Sequence, residues 1–172
     1  MAEFTQQGNY RGWSSLPDGR GLRIGYLQDS AFSFYYADNL EALESAASTL
    51  VPISPLRDST LPPHLDALYI GGGFPETHGS ALQTNSGFLQ SLRTSILAGL
   101  PVYAECGGLM LLSESILWQR RSFGMAGILP FSVEMFSRPQ GHGYTELRVK
   151  RGEGGADSLG DQRPEASPFT PR

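Results

Sequence analysis

What most restricts this chain is the absence of any linker between the apolar residues 101–104 and the stretch Glu105-Cys106-Gly107-Gly108 that opens CGGLMLLSESIL. A strand that bends so abruptly into a helix lifts its central side chain above a sheet, the nucleophile-elbow arrangement. Gly107 and Gly108 leave room for the helix to pack closely, so that Cys106 points into a crevice from a strained backbone conformation. The unpaired N–H groups at the start of the helix favour a thiolate there. The pattern alone leaves a second reading open, because a lone cysteine is also a common small buried hydrophobe.

Around this bend, apolar runs and helical periodicity alternate. Residues 22–28 (LRIGYLQ) read as a strand, and residues 38–50 as a helix with Leu40, Leu43, Ala46, Ala47 and Leu50 on one face. Asp38 and Glu41 have the spacing of a capping box for that helix. Residues 50–53 and 67–70 read as short apolar strands. Phe88, Leu89, Leu92, Ile96 and Leu97 mark a helix that Gly99 and Pro101 close. The segment CGGLMLLSESIL fits a buried helix, and residues 125–129 fit a last strand of the main sheet. Strands separated by helices predict an α/β fold with a parallel sheet. A chain of 172 residues accommodates one domain, expected over residues 22–150. Residues 1–21 then form a flexible arm or linker, and the nearly apolar-free residues 151–172 a disordered tail.

The second chemical element is Gly71-Gly72-Gly73-Phe74-Pro75-Glu76, directly after the strand at 67–70 and therefore at the carboxyl edge of the sheet, where open α/β folds bind ligands. A backbone N–H from this loop, that of Gly73, joins that of Gly107 to stabilise the oxyanion formed when Cys106 attacks a carboxamide. Gly72 and Phe74 are candidate substrate-binding positions of the same loop. No Gly-Lys-Ser/Thr follows the triplet, which removes a Walker A reading. Glu76 either complements a following helix turn or acts in catalysis. The aromatic cluster Phe32, Phe34, Tyr35 and Tyr36 belongs to the core or lines the cleft; the sequence leaves that undecided.

Charge and cysteine usage narrow the partners. A net charge of -4 offers no basis for nucleic acid or anionic lipid as a partner. A single cysteine excludes an internal disulfide and any cysteine-based metal cluster, which fits a reducing compartment. With no apolar run resembling a signal peptide or a membrane span, the chain reads as cytoplasmic.

In this order, AFSFYYADNLEALE, LYIGGGFPE and VYAECGGLMLL, followed by GMAGILP and GYTEL, resemble the amidotransferase domain of cobyrinic acid a,c-diamide synthases over residues 22–148. The resemblance implies a three-layer flavodoxin-like fold of the class I glutamine amidotransferase type. It also implies that Cys106 attacks the side-chain amide of glutamine, forms a glutamyl thioester and releases ammonia. In the family that ammonia passes to an ATP-using synthase domain, where ATP and Mg bind and carboxylates of the tetrapyrrole acceptor are activated, in cobalamin biosynthesis; no cofactor is expected on this chain. Two parts of the family pattern have no counterpart here. Nothing before Leu22 matches the synthase domain, and no Gly-His-Glu-Phe-His-like segment with the family's histidine follows Gly143-Tyr144. His64, His78 and His142 stand where the family does not place its base, so a truncated domain is expected. Two rivals remain: a non-catalytic binding or assembly module of the same fold, and an amidotransferase for another tetrapyrrole such as sirohydrochlorin.

Overall fold

The computed structural model describes residues 21–46 and 49–138. The expected arm, apart from Gly21, lies outside them, as do Ala47, His142, Gly143-Tyr144 and the expected tail. In chain order the elements are β1 (Arg23–Leu27), β2 (Phe32–Phe34), α1 (Ala37–Ser45), β3 (Thr49–Ile53), β4 (Ala67–Ile70), β5 (Gly72–Gly73), a 3-10 turn (Pro75–His78), α2 (Gly79–Thr84), α3 (Ser86–Leu97), β6 (Val102–Ala104), α4 (Gly107–Leu112), β7 (Ser115–Trp118), β8 (Arg121–Gly124) and β9 (Ser132–Glu134).

Four strands form the central sheet in the order β3-β1-β4-β6, and every neighbouring pair is parallel. Alternation along the strands sorts their side chains between two faces. Leu27, Ile53, Leu68 and Ile70 join one core with Phe88, Leu89 and Leu92 of α3 and Leu111 and Leu112 of α4. Each fully buried Leu, Ile or Phe stabilises the fold by about 2–3 kcal/mol relative to exposure. The register Tyr26↔Tyr69↔Tyr103 sets three tyrosines in a row on the other face.

The start of α3 is fixed by Asn85, whose side chain accepts from the Phe88 N–H and donates to the carbonyls of Pro55 and Asp58 at 2.8 Å. One residue therefore caps the helix and ties it to the loop after β3. Gly99, at φ 103, ends the helix region before β6.

Several expectations change. The first helix stops at Ser45, because Leu50 is needed in β3 opposite Ile24 and sheet pairing outweighs helical periodicity. No residue of α1 is buried, and its N-cap is Tyr36 without a side-chain bond, so Asp38 and Glu41 build no capping box. Leu97 is 66% exposed, since the last turn of α3 runs past its buried stripe.

CGGLMLLSESIL is not one helix: α4 has six residues and gives way to β7, which pairs with β8 and β9 in a second, three-stranded sheet. Residues 125–129 form no strand. Instead, the N–H groups of Ala126, Ile128 and Leu129 donate to the carbonyls of Leu111 and Leu112, and that of Gly127 to Ser113 at 2.7 Å. This apolar stretch satisfies the carbonyls that the end of α4 leaves open.

Candidate functional site

Cys106 occupies the bend between β6 and α4 with φ 48 and ψ -114, a conformation that costs energy for a residue bearing a Cβ. It persists because the elements on either side are fixed. The Glu105 N–H donates to the Ile70 carbonyl at 3.0 Å, and the Cys106 carbonyl accepts from Leu109 and Met110. The thiol is exposed rather than enclosed in the core, although both flanking elements are anchored there.

Close packing on each side depends on glycine. A Cβ on Gly108 would lie 2.3 Å from the Ile70 carbonyl oxygen, and one on Gly107 would lie 2.9 Å from Cδ of Pro75 and 3.1 Å from the backbone N of Gly73. The glycine triplet thus abuts the start of α4. Gly73 cannot carry a side chain either, because its Cβ would meet the Ala31 carbonyl oxygen at 2.1 Å. That proximity comes from antiparallel pairing of β5 with β2, reinforced by a bond from the Phe74 N–H to the Ala31 carbonyl at 3.0 Å.

Asp29 shapes the approach to β2. One carboxylate oxygen accepts from the N–H groups of Ala31 and Phe32, and the other from the Ser54 hydroxyl and the Leu56 N–H at 2.9 and 3.0 Å. The turn after β1 is thereby joined to the loop after β3, with the donors a carboxylate requires.

A cavity of about 430 Å3 opens at Cys106 and is lined by Ser33, Phe34, Tyr35, Tyr36, Gly72 and Glu105. The Tyr69 hydroxyl donates to Glu105 Oε1 at 2.8 Å. Of the sequence-predicted residues, Cys106 and Gly72 share this cavity, and Gly73 and Gly107 touch behind it. Phe74 stands outside the lining, its ring meeting that of Phe34 edge-on at 5.0 Å. Glu76 is 7% exposed in the first turn of the 3-10 segment.

The aromatic cluster divides between the two roles that the sequence left open. Phe32 is fully buried in the core, while Phe34, Tyr35 and Tyr36 border the cavity. Glu105, one residue past the end of β6 and directly before the nucleophile, is a site residue without a distinctive sequence signal beyond that adjacency. Among the described residues, no histidine lines this cavity, and no group of three or more His, Cys, Asp or Glu side chains could hold a metal ion. A larger cleft, about 520 Å3, lies among residues that precede β4 and β6, including His64 and Asp66. It sits at the amino-terminal ends of those strands, and Cys106 is not among its lining residues.

A thiol raised above the carboxyl edge of a parallel sheet, with backbone amides packed beside it, can attack an sp2 carbon and hold the developing oxyanion. The architecture is that of the class I glutamine amidotransferase-like fold. A solved putative peptidase E protein from Listeria monocytogenes EGD-e has the same fold, with a TM-score of 0.54, 17% identity and 66% of each chain covered. The family of CobB/CobQ-like glutamine amidotransferase domains matches residues 23–160, and the chain belongs to it. It is 49% identical over 132 residues to a cobyrinate a,c-diamide synthase of Magnetococcus marinus, covering 77% of this chain and 28% of that protein. The synthase of Syntrophotalea carbinolica is 48% identical over 136 residues, covering 78% and 30%. That of Archaeoglobus fulgidus is 45% identical over 128 residues, covering 74% and 28%. The chain thus spans less than a third of the length of these curated relatives. Among its described residues, no helix is long and apolar enough to cross a membrane.

Proposed function

We propose that this domain hydrolyses glutamine at Cys106 and supplies ammonia for ATP-dependent amidation of cobyrinic acid carboxylates in the cytoplasm. The observation that carries the reading is the positive φ of Cys106 at a bend whose helix abuts the glycine triplet.

The Cys106 thiolate adds to the side-chain amide carbon, and the negative charge moves to the carbonyl oxygen, facing the N–H groups of Gly73 and Gly107. Gly107, as the first residue of α4, has no acceptor within that helix for its N–H. Collapse of the tetrahedral adduct breaks the C–N bond. The nitrogen leaves as ammonia after gaining a proton, and a glutamyl thioester remains. Water then adds to the thioester, releasing glutamate and the thiol. Gly72, in the cavity wall, flanks the bound amide, and Phe74 supports that wall through its ring contact with Phe34. ATP and Mg act on a separate synthase domain or subunit, which activates the tetrapyrrole carboxylate and receives the ammonia.

Measurement of glutamate release by the chain with and without a cobyrinate synthase domain tests this reading. Release abolished by Cys106→Ala supports it; release unchanged by that substitution refutes it.

A second reading draws on the cavity lining, in which no histidine stands among the described residues to exchange protons with the thiol. In that case the domain binds the synthase without turnover. Cys106→Ala would then bind the partner as wild type does, and the assembled complex would release no glutamate.

A further inference from the structure

We propose that Tyr35 is the positioning residue of the glycine loop: its hydroxyl ties Gly71 to the end of β1 and thereby sets the direction of the Gly73 N–H. The proposal rests on the reading that Cys106, Gly73 and Gly107 act together on a carboxamide.

The β1–β4 pairing ends at Tyr26↔Tyr69, so the Leu27 carbonyl and the Gly71 N–H lie beyond the last paired residues. The Tyr35 hydroxyl spans that gap. It donates to the Leu27 carbonyl and accepts from the Gly71 N–H at 2.9 Å. One phenol therefore replaces the missing rung between two parallel strands just where the loop departs from the sheet.

The ring is held as firmly as the hydroxyl. Tyr26 and Tyr69 meet it edge-on, with centroids 5.6 and 5.0 Å away. Gly71 lies against it so closely that a Cβ there would be 2.6 Å from Tyr35 Cε1. Two residues further along, the chain reaches Gly73, pinned between Ala31 and Gly107. Rotation of the loop at Gly71 would swing the Gly73 N–H away from the oxyanion, and the Tyr35 bridge opposes that rotation. Burial pushes the Tyr35 hydroxyl up to about 12, so it retains its proton and both bonds at the pH of turnover.

A purely structural tyrosine and a positioning tyrosine separate in their effects on two reactions of the same thiol. Hydrolysis of glutamine builds an oxyanion; alkylation by iodoacetamide displaces iodide at a saturated carbon and builds none. Tyr35→Phe keeps the ring and removes the bridge. It is expected to lower kcat for glutamine by about 10- to 100-fold, short of the full loss of an oxyanion donor, with KM and the rate of Cys106 alkylation near wild type. Gly71→Ala, which forces a methyl against the ring, should give the same split, while Tyr26→Phe should change neither reaction.

Turnover by Tyr35→Phe at the wild-type rate overturns the proposal, as does a parallel fall in turnover and alkylation. If Tyr35→Phe does not fold, Gly71→Ala decides by the same criteria. Absence of Cys106-dependent glutamate release from the wild-type chain, with or without the synthase domain, refutes the glutaminase reading and this proposal with it. Turnover without the split refutes this proposal alone.

Discussion

Gly108 abuts Ile70 so closely that a Cβ on the glycine would sit 2.3 Å from the Ile70 carbonyl oxygen and 2.8 Å from its Cγ2. The contact joins the second residue of α4 to the last residue of β4, two elements that meet only because β4 and β6 are neighbours in the sheet. It permits α4 to leave the sheet without a linker, and so fixes the height at which Cys106 stands.

Gly108→Ala should therefore destabilise the protein by about 2–4 kcal/mol, because the clash is with backbone that cannot rotate away. Denaturant unfolding checks this, with Gly124→Ala as reference, since a Cβ there would meet nothing within 4 Å. Equal stability of the two variants would show that the packing at Ile70 is slack.

Gly107→Ala acts on a different contact. Its methyl would press on Pro75 and on the backbone N and O of Gly73, displacing the loop proposed to supply the oxyanion N–H. Turnover is expected to fall by about 100-fold, with a smaller loss of stability than Gly108→Ala causes. Steady-state kinetics and melting, measured on the same preparations, separate the two effects.

Alkaline pH should weaken the fold through Tyr35. Burial raises its hydroxyl from the ordinary 10.0 to about 12, so between these values the folded chain retains a proton that the unfolded chain has lost. Stability is then fully present below about pH 10 and is lost as pH rises towards 12; Tyr69, also raised by burial, acts in the same direction. Tyr35→Phe should flatten part of this alkaline limb in unfolding midpoints taken from pH 9 to 12.

The elbow and the glycine loop are legible in the sequence because both are dense in residues with narrow conformational uses. Cys106 followed by two glycines, and three glycines after an apolar strand, have few physical explanations. The failures have causes that lie in tertiary structure. Trp118 pairs with Arg121, so Gln119 and Arg120 make a two-residue connection, both at positive φ (48 and 61), where Asn or Gly would ordinarily announce the turn. Without that signal, SESIL reads as continued helix. Residues 125–129 read as a strand because they are apolar, yet their hydrogen bonds go to the end of α4, a partner that periodicity does not reveal. The bridging role of Tyr35 is hidden for a similar reason: its hydroxyl bonds to residues 8 and 36 positions away in sequence.

Covalent labelling with 6-diazo-5-oxo-L-norleucine followed by peptide mass mapping tests whether Cys106 is a glutamine-directed nucleophile. A single adduct on Cys106 is expected, slowed by excess glutamine and absent from Cys106→Ala. A folded chain that acquires no adduct, or one whose labelling at Cys106 is indifferent to glutamine, would contradict it.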